Sequence, residues 1–315
     1  MVTIGYALSS EEHPAPDLVG YAARAEQAGF GYAMISDHFH PWIGAQGQSP
    51  FVWSVLGGIA QATSTLRVGT GVTCPTVRYH PAVVAQAAAT VATMMPGRFM
   101  LGLGTGEALN EHVVGRHWPA YERRAEMLEE AVEIIRALFA GDNVRHYGPH
   151  FTVENARLYS LPDTPPPILL AAGAPRAARL ASRIADGLIN YAPDPAVVRE
   201  FGDDERPRFI QYNVCWAADE AQARATARRV CPTVALPGEL GQHLPDVAHY
   251  EQFAGTVTED QIAEVIVCGP DPERHLAGIQ RCVDAGYDHV HVDQVGPDQE
   301  GFFTFYEQEI LPKLR

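Results

Sequence analysis

The sequence predicts an α/β fold, a (β/α)8 TIM barrel formed by a single domain over residues 1–315. Short runs rich in β-branched residues alternate with helical patterns along the whole chain. The sequence shows no internal repeat. Repeated β-α units of this kind form parallel sheets with helical crossovers. Close to eight such units in 315 residues fit a closed barrel. An open, doubly wound sheet is the alternative.

The predicted elements follow one another in a regular order from the amino terminus. Strands are predicted at residues 2–8, 31–36, 66–72, 98–104, 167–173, 187–192, 208–217 and 289–295. Helices are predicted at residues 17–29, 51–63 and 80–95, at about 119–140, and from the end of the fifth strand to about residue 184. Two stretches break the alternation and are predicted as insertions at the carboxyl ends of the strands. They are a β-hairpin at 143–160 and a Pro-, Gly- and His-rich stretch at 232–258 over the barrel mouth.

Composition argues against several classes of protein. The net charge of −15 disfavours nucleic acid or an anionic membrane as a partner. The amino terminus lacks the basic segment of a signal peptide, and no apolar run reaches the length of a membrane span, so a cytoplasmic protein is predicted. The five cysteines include no C-x-x-C pair, and the thirteen histidines lack metal-ligand spacing. Reduced thiols and no metal site are therefore predicted.

The stretch FMLGLGTGEALNE at 99–111 contains three glycines, Gly102, Gly104 and Gly106, after an apolar run. A dinucleotide-binding turn is one interpretation. The spacing is G-x-G-x-G rather than G-x-G-x-x-G, and no acidic strand end follows at the distance that a ribose site needs. In a barrel, the stretch is instead the carboxyl end of a strand, where active sites are built. Glu107 then lies at the mouth, either as a functional acid or as a charge that stabilises a helix terminus.

Two further strand ends carry polar side chains. The second strand ends in ISDHFHPW, which contains Asp37, His38, His40 and Trp42. Histidine is suited to proton transfer near neutral pH, and a structural role is the alternative. The fifth strand ends in AAGAPRAA, where free amides at a helix start and Arg176 can hold a phosphate. An ordinary helix cap is the alternative there.

Four stretches together carry a resemblance to a known family. They are SDHFHPW (36–42), CPTVRYHPAVVAQA (74–87), LGLGTGEALNE (101–111), and AAGAP with ADG (171–175 and 185–187). With them the chain resembles the luciferase-like superfamily of barrel flavoproteins. Within it, the chain is similar to the branch that uses the deazaflavin coenzyme F420, represented by F420-dependent glucose-6-phosphate dehydrogenase. The stretches occur in order over most of the chain, and SDHF-x-PW combined with GTGEALNE is specific.

The resemblance implies an F420-dependent oxidoreductase with four catalytic positions. His38 resembles the histidine that takes the proton from a substrate hydroxyl, and Glu11 resembles the carboxylate that supports it. Glu107 resembles the acid beside the deazaflavin ring, and Trp42 the tryptophan near the reacting centre. A carboxyl group that donates a proton near neutral pH needs a raised pKa, which a partly desolvated barrel mouth can provide.

The resemblance also implies the positions that hold the coenzyme. Contacts to the ring and the ribityl chain are expected from Asp37, Cys74, Thr105, Gly106 and Asn110. Contacts to the coenzyme phosphate are expected from Gly173, Ala174, Arg176 and Ala177. At the end of the third strand, Gly71 and Val72 match a non-proline cis peptide bond that backs the ring.

The substrate positions depart from the family pattern. Sugar-phosphate members hold the phosphate with lysine and arginine, whereas this chain has no lysine before Lys313. The substrate pocket is predicted at Tyr191, Asp194, residues 239–243 and Glu264. Acids at such positions repel a phosphate dianion. The predicted function is therefore hydride transfer between coenzyme F420 and an alcohol or a non-phosphorylated sugar.

Several alternatives stay open at this point. They are a sugar-6-phosphate dehydrogenase, a reductase that uses reduced F420 on an activated C=C, C=N or ketone, an FMN-dependent monooxygenase, and a coenzyme-binding protein without turnover. Besides a small-molecule substrate, the expected partner is a second copy of the chain. The helices at 51–63 and 80–95 are apolar and rich in small residues, which allows close packing in a homodimer. Packing of these faces within the barrel is the alternative.

Overall fold

The computed structural model describes residues 2–314 and contains a closed barrel of parallel strands. The strands are β1 (Thr3–Leu8), β2 (Tyr32–Ile35), β3 (Arg67–Thr70), β4 (Phe99–Leu103), β5 (Val144–Tyr147), β6 (Thr152–Ala156), β7 (Ile168–Ala171), β8 (Gly187–Asn190), β9 (Arg208–Cys215), β10 (Val267–Cys268) and β11 (His289–Gln294). The barrel consists of β1 to β4, β7 to β9 and β11. β5 and β6 form a separate antiparallel hairpin.

Helices connect the barrel strands and cover the outside of the barrel. They are α1 (Ala15–Ala28), α2 (Val52–Ala62), α3 (Pro81–Met94), α4 (Ala108–Glu111), α5 (Tyr121–Phe139), α6 (Pro175–Ile184), α7 (Pro195–Phe201), α8 (Glu220–Val230), α9 (Val247–Ala254), α10 (Glu259–Val265), α11 (Pro272–Asp284) and α12 (Gln299–Phe305). Their ends follow the local sequence. Asp219, Asp246 and Asp271 accept backbone amides at the starts of α8, α9 and α11, which satisfies unpaired donors there.

The pairing of β8 with β9 closes the sheet into a barrel. Leu188 lies opposite Arg208, and on the other side of β9 the strand β11 leads back to β1. Every pair of neighbouring barrel strands is parallel, so the eight carboxyl ends meet at one mouth. The predicted (β/α)8 barrel is confirmed, and the open-sheet alternative is wrong.

Two hydrophobic layers stabilise the barrel. Alternate strand residues fill the lumen, where Tyr32, Met34, Met100, Leu169, Ile189 and Phe209 form one cluster. A larger cluster lies between the strands and the surrounding helices. Gly102 permits close approach of β3 and β4, because a Cβ at this position would lie 1.9 Å from the carbonyl oxygen of Thr70. Burial of apolar surface in these layers is the main favourable contribution to folding.

The structure differs from the predicted elements in detail. Apart from β1, the barrel strands end one or two residues earlier than predicted, where the chain turns into the loops at the mouth. The short strand β10, which pairs with β9 at Cys215 and Cys268, was not predicted, since two residues carry no periodicity. The glycine-rich stretch leads into a helix of only four residues, α4.

The segment 232–258 contains two 3₁₀ turns, Pro232–Ala235 and Leu240–Gln242, followed by α9. The Tyr250 ring centroid lies 5.3 Å from that of Trp42, and a carboxylate oxygen of Glu251 accepts the Gly44 amide at 3.2 Å. These contacts join the segment to the loop that follows β2. The division of the chain into one barrel domain with two insertions stays a prediction.

Among residues 2–314, no helix has both the length and the apolar character that crossing a membrane requires. All five cysteines are free thiols, as predicted. Burial raises the pKa of Cys268 and of Cys282 to about 11, so both thiols are protonated near neutral pH.

Candidate active site

His38 lies at the barrel mouth, in the loop that follows β2. Its Nδ1 lies 3.3 Å from Oε1 of Glu11, and its Nε2 lies 3.7 Å from Oε2 of Glu107. The His38 side chain is only 13% exposed. The structure thus brings together side chains from the loops after β1, β2 and β4, as expected for the carboxyl ends of parallel strands.

Glu11 is fixed by hydroxyl groups on the side away from His38. Its Oε2 accepts hydrogen bonds from Ser36 Oγ at 2.7 Å and from Ser9 Oγ at 3.1 Å. The amide of Ser10 in turn donates to Ser36 Oγ at 3.0 Å. A fixed carboxylate next to Nδ1 favours the tautomer that carries its proton on Nδ1. Nε2 of His38 is then free to accept a proton.

Glu107 occupies the N-cap position of α4, directly after the glycine-rich stretch. Its Oε2 accepts a long hydrogen bond from Nδ2 of Asn110 at 3.4 Å. Loss of hydration raises the pKa of Glu107, although 31% of the side chain remains accessible. The His38 ring opposes this rise, and the negative charge of Glu11 adds to it. A carboxyl with a raised pKa keeps more of its proton near neutral pH.

Trp42 forms one wall beside His38, with 5.0 Å between the two ring centroids. On its other side the Trp42 ring contacts Tyr250 of α9. Apolar side chains continue this wall: Ile43, Leu109, Leu236, Leu244 and Val247. The hydroxyl of Tyr250 donates to the carbonyl oxygen of Gly241 at 2.6 Å, so the tyrosine presents its ring to the wall. We call this set with Trp42 and Tyr250 the Trp42 wall.

Asp37 is buried beneath the mouth and fully engaged by neighbouring donors. Its Oδ1 accepts hydrogen bonds from Arg78 at 2.9 Å and from the Tyr79 hydroxyl at 3.3 Å. Its Oδ2 accepts the Thr73 hydroxyl at 2.7 Å. The geometry therefore gives this carboxylate a role in holding the loops after β2 and β3. A contact between Asp37 and a coenzyme stays a prediction.

The ends of β3, β4 and β7 meet at one patch of the mouth. The peptide bond between Gly71 and Val72 is cis, as the resemblance implies. A Cβ on Gly104 would lie 2.7 Å from Cγ2 of Val72, 3.5 Å from Sγ of Cys74 and 3.7 Å from Cβ of Ala171. Since glycine stands at this point, the ends of the three strands pack closely together. Three of the predicted coenzyme positions, Gly71, Val72 and Cys74, lie at this patch.

Thr105, Gly106 and Asn110 lie on the loop between β4 and α4 and on α4 itself. Gly106 has a φ of 86°, a conformation that favours glycine. The Thr105 carbonyl oxygen accepts the Thr76 hydroxyl at 3.3 Å. Oδ1 of Asn110 accepts the amides of Phe39 at 2.8 Å and His40 at 3.2 Å. Asn110 therefore connects the loop that carries His38 to the helix that follows Glu107.

The predicted phosphate cradle lies where β7 leads into α6. Pro175 begins the helix after Ala174, and among residues 2–314 the amides of Gly173, Ala174 and Arg176 donate to no protein acceptor. Unpaired amides at a helix start attract anions. The Arg176 guanidinium lies 3.8 Å from the Tyr121 ring centroid and pairs with Glu122 and Glu239. The amides of Ala177 and Ala178 instead donate to the carbonyl oxygen of Ala174.

Three of the predicted substrate positions, Tyr191, Asp194 and Glu264, lie in different surroundings. Tyr191 lies over Gly173, because a Cβ on this glycine would come within 2.6 Å of the tyrosine hydroxyl. Asp194 follows β8 at the carboxyl end of the barrel, where its carboxylate caps α7 by accepting the Ala196 amide at 2.8 Å. Glu264 lies on the exposed side of α10, in a surface recess that it shares with arginines of α11. The recess around Glu264 does not contain His38, Glu11 or Glu107.

A further buried carboxyl group lies at the same end of the barrel. Asp293, at the end of β11, is 7% exposed. Its Oδ2 accepts Nε2 of Gln211 at 3.1 Å, and within residues 2–314 its Oδ1 has no hydrogen-bond partner. Burial, and then the nearby charge of Glu11, raises the pKa of Asp293 to about 7.

Within residues 2–314, no three His, Cys, Asp or Glu side chains are arranged to hold a metal ion.

Several residues of the site were not identified from the sequence. Tyr250 lies in a stretch without periodicity, so nothing local predicts that it packs against Trp42. Arg78 lies within the motif CPTVRYHPAVVAQA, and Glu111 lies within LGLGTGEALNE. Membership of these motifs is the only feature of the sequence that points to the two residues. Arg124 of α5 is fully buried and donates to Gln242 of the 232–258 segment at 2.9 Å. Such contacts depend on tertiary structure rather than on local pattern.

Comparison with protein families identifies the family of this barrel. The family described as luciferase-like monooxygenase matches residues 2–289, which contain the strands β1 to β10 and the residues around His38. The chain belongs to the luciferase-like family. The predicted superfamily is therefore confirmed.

Curated relatives match the luciferase-like chain over its full length. A protein named F420-dependent glucose-6-phosphate dehydrogenase, from Amycolatopsis mediterranei (strain U-32), is 34% identical over 331 aligned positions and covers 100% of this chain and 99% of its own length. A protein of the same name from Microbacterium testaceum (strain StLB037) is 36% identical and covers 99% of this chain and 97% of its own length. The predicted similarity to this branch is confirmed.

Solved structures show the same fold. An F420-dependent secondary alcohol dehydrogenase in complex with an F420-acetone adduct superposes with a TM-score of 0.93 at 31% identity, covering 100% of this chain and 99% of that chain. A coenzyme F420 dependent tetrahydromethanopterin reductase from Methanopyrus kandleri superposes with a TM-score of 0.83 at 23% identity, covering 100% of this chain and 99% of that chain. This second likeness concerns the fold alone.

Proposed function

We propose that this chain is an F420-dependent oxidoreductase that transfers a hydride between the deazaflavin ring and the carbinol carbon of a neutral alcohol or a non-phosphorylated sugar. One observation carries the proposal. The His38 ring lies between two carboxyl groups, 3.3 Å from Glu11 and 3.7 Å from Glu107. The full-length relatives, which are named as F420-dependent dehydrogenases, support the choice of coenzyme.

The barrel mouth fits an elongated coenzyme with a flat ring and an anionic tail. In this proposal the ring lies against the patch of Val72, Cys74 and Gly104, where any side chain larger than that of glycine at position 104 would collide with Val72. The unpaired amides at the start of α6, together with Arg176, offer a place for the phosphate. When bound, the coenzyme accepts or gives the hydride.

His38 acts as the base in this proposal. Nε2 takes the proton of the substrate hydroxyl, while Nδ1 keeps its own proton toward Glu11. An alcohol carbon gives up a hydride readily only as its hydroxyl proton leaves, so the base must be present when the hydride moves. The imidazolium that forms faces the Glu11 carboxylate, which stabilises its positive charge.

Glu107 acts as the acid. Loss of hydration raises the pKa of its carboxyl group, which favours the protonated form that an acid needs. When the alcohol is oxidised, the carboxyl proton would pass from Glu107 to the deazaflavin ring, and in the reverse direction it would return from the ring to Glu107. The Asn110 side chain, which donates to Oε2 at 3.4 Å, orients the carboxyl group.

The surroundings of His38 favour a neutral substrate. The Trp42 wall presents apolar side chains next to the base. The only lysine of the chain, Lys313, pairs with Glu273, and Asp194 caps a helix with its carboxylate. A phosphate dianion at this mouth meets an apolar wall and acids, and its transfer from water costs free energy unless a cation pairs with it.

A sugar-6-phosphate dehydrogenase is the second candidate, because the full-length curated relatives carry the name F420-dependent glucose-6-phosphate dehydrogenase. Arg176, in the first turn of α6, is a guanidinium that a substrate phosphate could use. It is already paired with Glu122 and Glu239. A substrate phosphate would have to compete with both carboxylates and with the coenzyme phosphate that we assign to the same arginine.

The proposal is tested by mixing the protein with oxidised F420 and following the loss of its visible absorbance. The substrates are 2-propanol, 2-butanol, glucose and glucose-6-phosphate. We expect absorbance loss with a neutral alcohol or sugar. Loss with glucose-6-phosphate alone would instead support the second candidate. A reductase would be supported by two results together. The protein would bind oxidised F420 tightly without any absorbance loss, and an activated C=C, C=N or ketone would oxidise reduced F420. Oxygen uptake with reduced FMN would support a monooxygenase.

We also propose that the protein is a homodimer. Large apolar side chains are exposed at the face formed by α2 and α3, where Phe51 and Val83 are each 56% exposed and Met94 is 38% exposed. Clustered exposed apolar side chains are typical of protein interfaces. The many alanines of α3 allow a second helix to approach closely.

A further inference from the structure

Arg78 joins the loops that follow β2 and β4 to its own loop, which follows β3. Its side chain is 7% exposed. Nη2 donates to Oδ1 of Asp37 at 2.9 Å and to the carbonyl oxygen of Asp37 at 2.8 Å. The backbone amide of Arg78 donates to Oε2 of Glu111 at 2.6 Å, and its Nε lies 3.7 Å from Oε1 of Glu111. One residue therefore contacts both neighbouring loops through its main chain and its side chain.

The two carboxylates that Arg78 contacts stand next to the proposed base and acid. Asp37 directly precedes His38 in the chain. Glu111 is the last residue of α4, and Glu107 occupies the N-cap position of the same helix. A single buried guanidinium thus connects the backbone beside the base to the short helix beside the acid.

The helix α4 depends on contacts of this kind. It has four residues, far fewer than a helix needs to be stable by itself. Glu107 makes no capping hydrogen bond at its start, and Gly106 before it has a φ of 86°, a conformation that favours glycine. Burial raises the pKa of Glu111 to about 7, and the amide and charge of Arg78 oppose that rise. Without Arg78, a buried carboxyl group would lose its cation.

We propose that Arg78 is a positioning residue that sets the distance between His38 and Glu107. This inference rests on the proposed function and adds a residue that acts only through Asp37 and Glu111. Asn110 provides a separate connection on the other side of α4. Lysine replaces Arg78 only in part, because a single ammonium group keeps the charge but lacks the planar guanidinium that faces both carboxylates.

The first test compares Arg78→Met and Arg78→Lys with the wild type. Arg98→Lys is the matched control, because Arg98 also bonds two loop carbonyls, those of Thr63 and Leu66, but lies at the amino end of β4. F420-binding sites are counted by fluorescence titration, and kcat is expressed per site. We expect Arg78→Met to lower kcat per site about 30-fold or more, since small misplacements of reacting groups have large effects. Arg78→Lys should fall between Arg78→Met and the wild type.

Two further readouts separate positioning from mere loss of folded protein. The Kd for F420 and the KM for the alcohol should change less than about threefold in Arg78→Met, because only the reacting geometry is disturbed. The deuterium isotope effect on kcat, measured with an alcohol deuterated at the carbinol carbon, should be at least as large as in the wild type. If activity falls only in proportion to the number of F420-binding sites, the positioning role is wrong.

The second test uses the free protein and needs no turnover. The amides of Asn110 and Glu111 both donate to the carbonyl oxygen of Glu107, at 3.1 Å each. We expect their hydrogen exchange to be about tenfold faster or more in Arg78→Met and unchanged in Arg98→Lys. Unchanged exchange in Arg78→Met would overturn the inference. If the wild type oxidises none of the substrates, the proposed function fails, and the exchange result still decides the role of Arg78.

Discussion

Nε2 of His38 lies 3.7 Å from Oε2 of Glu107, while Nδ1 of the same ring lies 3.3 Å from Oε1 of Glu11. The three side chains come from loops after three different strands, so the closed barrel rather than the local sequence creates this contact. A histidine in this position can accept a proton, and a carboxyl group with a raised pKa can supply one. In the proposed function, His38 is the proton acceptor and Glu107 is the proton donor.

Glu107→Gln should lower kcat for alcohol oxidation about 100-fold, because glutamine has the shape of the acid but cannot give up a proton. The pH profile gives a second signature. Loss of hydration raises the pKa of Glu107, so its acid form persists to higher pH than that of a free carboxyl group, and kcat of the wild type should decline as the pH rises through that pKa. Glu107→Gln should lack this decline.

The control for this variant is Glu129→Gln, at a glutamate of α5 that pairs with Arg183 on the surface. Its kcat and its pH profile should match those of the wild type. Steady-state kinetics over a range of pH decides the matter. A Glu107→Gln enzyme that retains both wild-type kcat and the alkaline decline would exclude Glu107 as the acid.

The wild type should lose stability as the pH rises to about 7 because Asp293 becomes charged while buried. Asp293→Asn should not show this loss. In the folded state the pKa of Asp293 is raised from 3.8 to about 7. The folded protein therefore binds a proton more tightly than the unfolded chain, and this contribution to stability is present at low pH and lost as the pH rises to about 7. Asparagine has no charge to bury.

Urea unfolding of both proteins tests this prediction. At about pH 8 the free energy of unfolding should be larger for Asp293→Asn than for the wild type, and the difference should shrink toward about pH 4. The difference between the two proteins is informative because all other groups titrate in both. A variant that is less stable at every pH would show that Asp293 makes contacts that outweigh its buried charge.

Arg176→Ala should weaken F420 binding about tenfold, which is the loss expected for one charge-assisted contact, with little change in kcat at saturating coenzyme. Glu239→Gln should strengthen F420 binding, because Glu239 competes for the same guanidinium. Arg179→Ala is the matched control, one turn along α6 and paired with Glu200. Fluorescence titrations give the three Kd values. Equal losses in Arg176→Ala and Arg179→Ala would argue against a phosphate contact at Arg176.

Light scattering at low concentration should give twice the chain mass of 34.3 kDa. Val83→Glu places a charge in the exposed apolar face of α2 and α3 and should shift the protein to monomers, since an unpaired buried charge is costly. Tyr159→Glu is the control, because Tyr159 is 89% exposed outside that face. A wild-type protein that is monomeric at all concentrations would contradict the proposed dimer.

The barrel was predictable because each of its eight strands is a separate apolar run. In a parallel barrel, strands joined by helices lie side by side in the order of the chain. The same logic placed His38 and Glu107 at one mouth, since both directly follow strands. No pattern fixed the distance between them. That distance depends on how the loops fold, and the loop contacts of Arg78 and Asn110 join residues far apart in the chain.

Positions without a strand end to mark them were harder to place. Glu264 was predicted in the substrate pocket by comparison of loop positions, and it lies on the exposed side of α10. Tyr250 was not singled out, although its ring contacts Trp42. Loops of different length in related barrels shift the correspondence between positions. Only the folded structure shows that Tyr250 contacts Trp42 and that Glu264 lies on the exposed side of α10.

The most direct test of the account is a single-turnover reaction of wild type, His38→Ala and His40→Ala with excess protein over oxidised F420 and saturating 2-propanol. His40 is the control because it stands two residues away and contacts the Leu109 carbonyl oxygen rather than Glu11. The account predicts rapid loss of F420 absorbance with the wild type and His40→Ala, and a rate at least about 100-fold lower with His38→Ala despite F420 binding. Equal rates with the wild type and His38→Ala would contradict it.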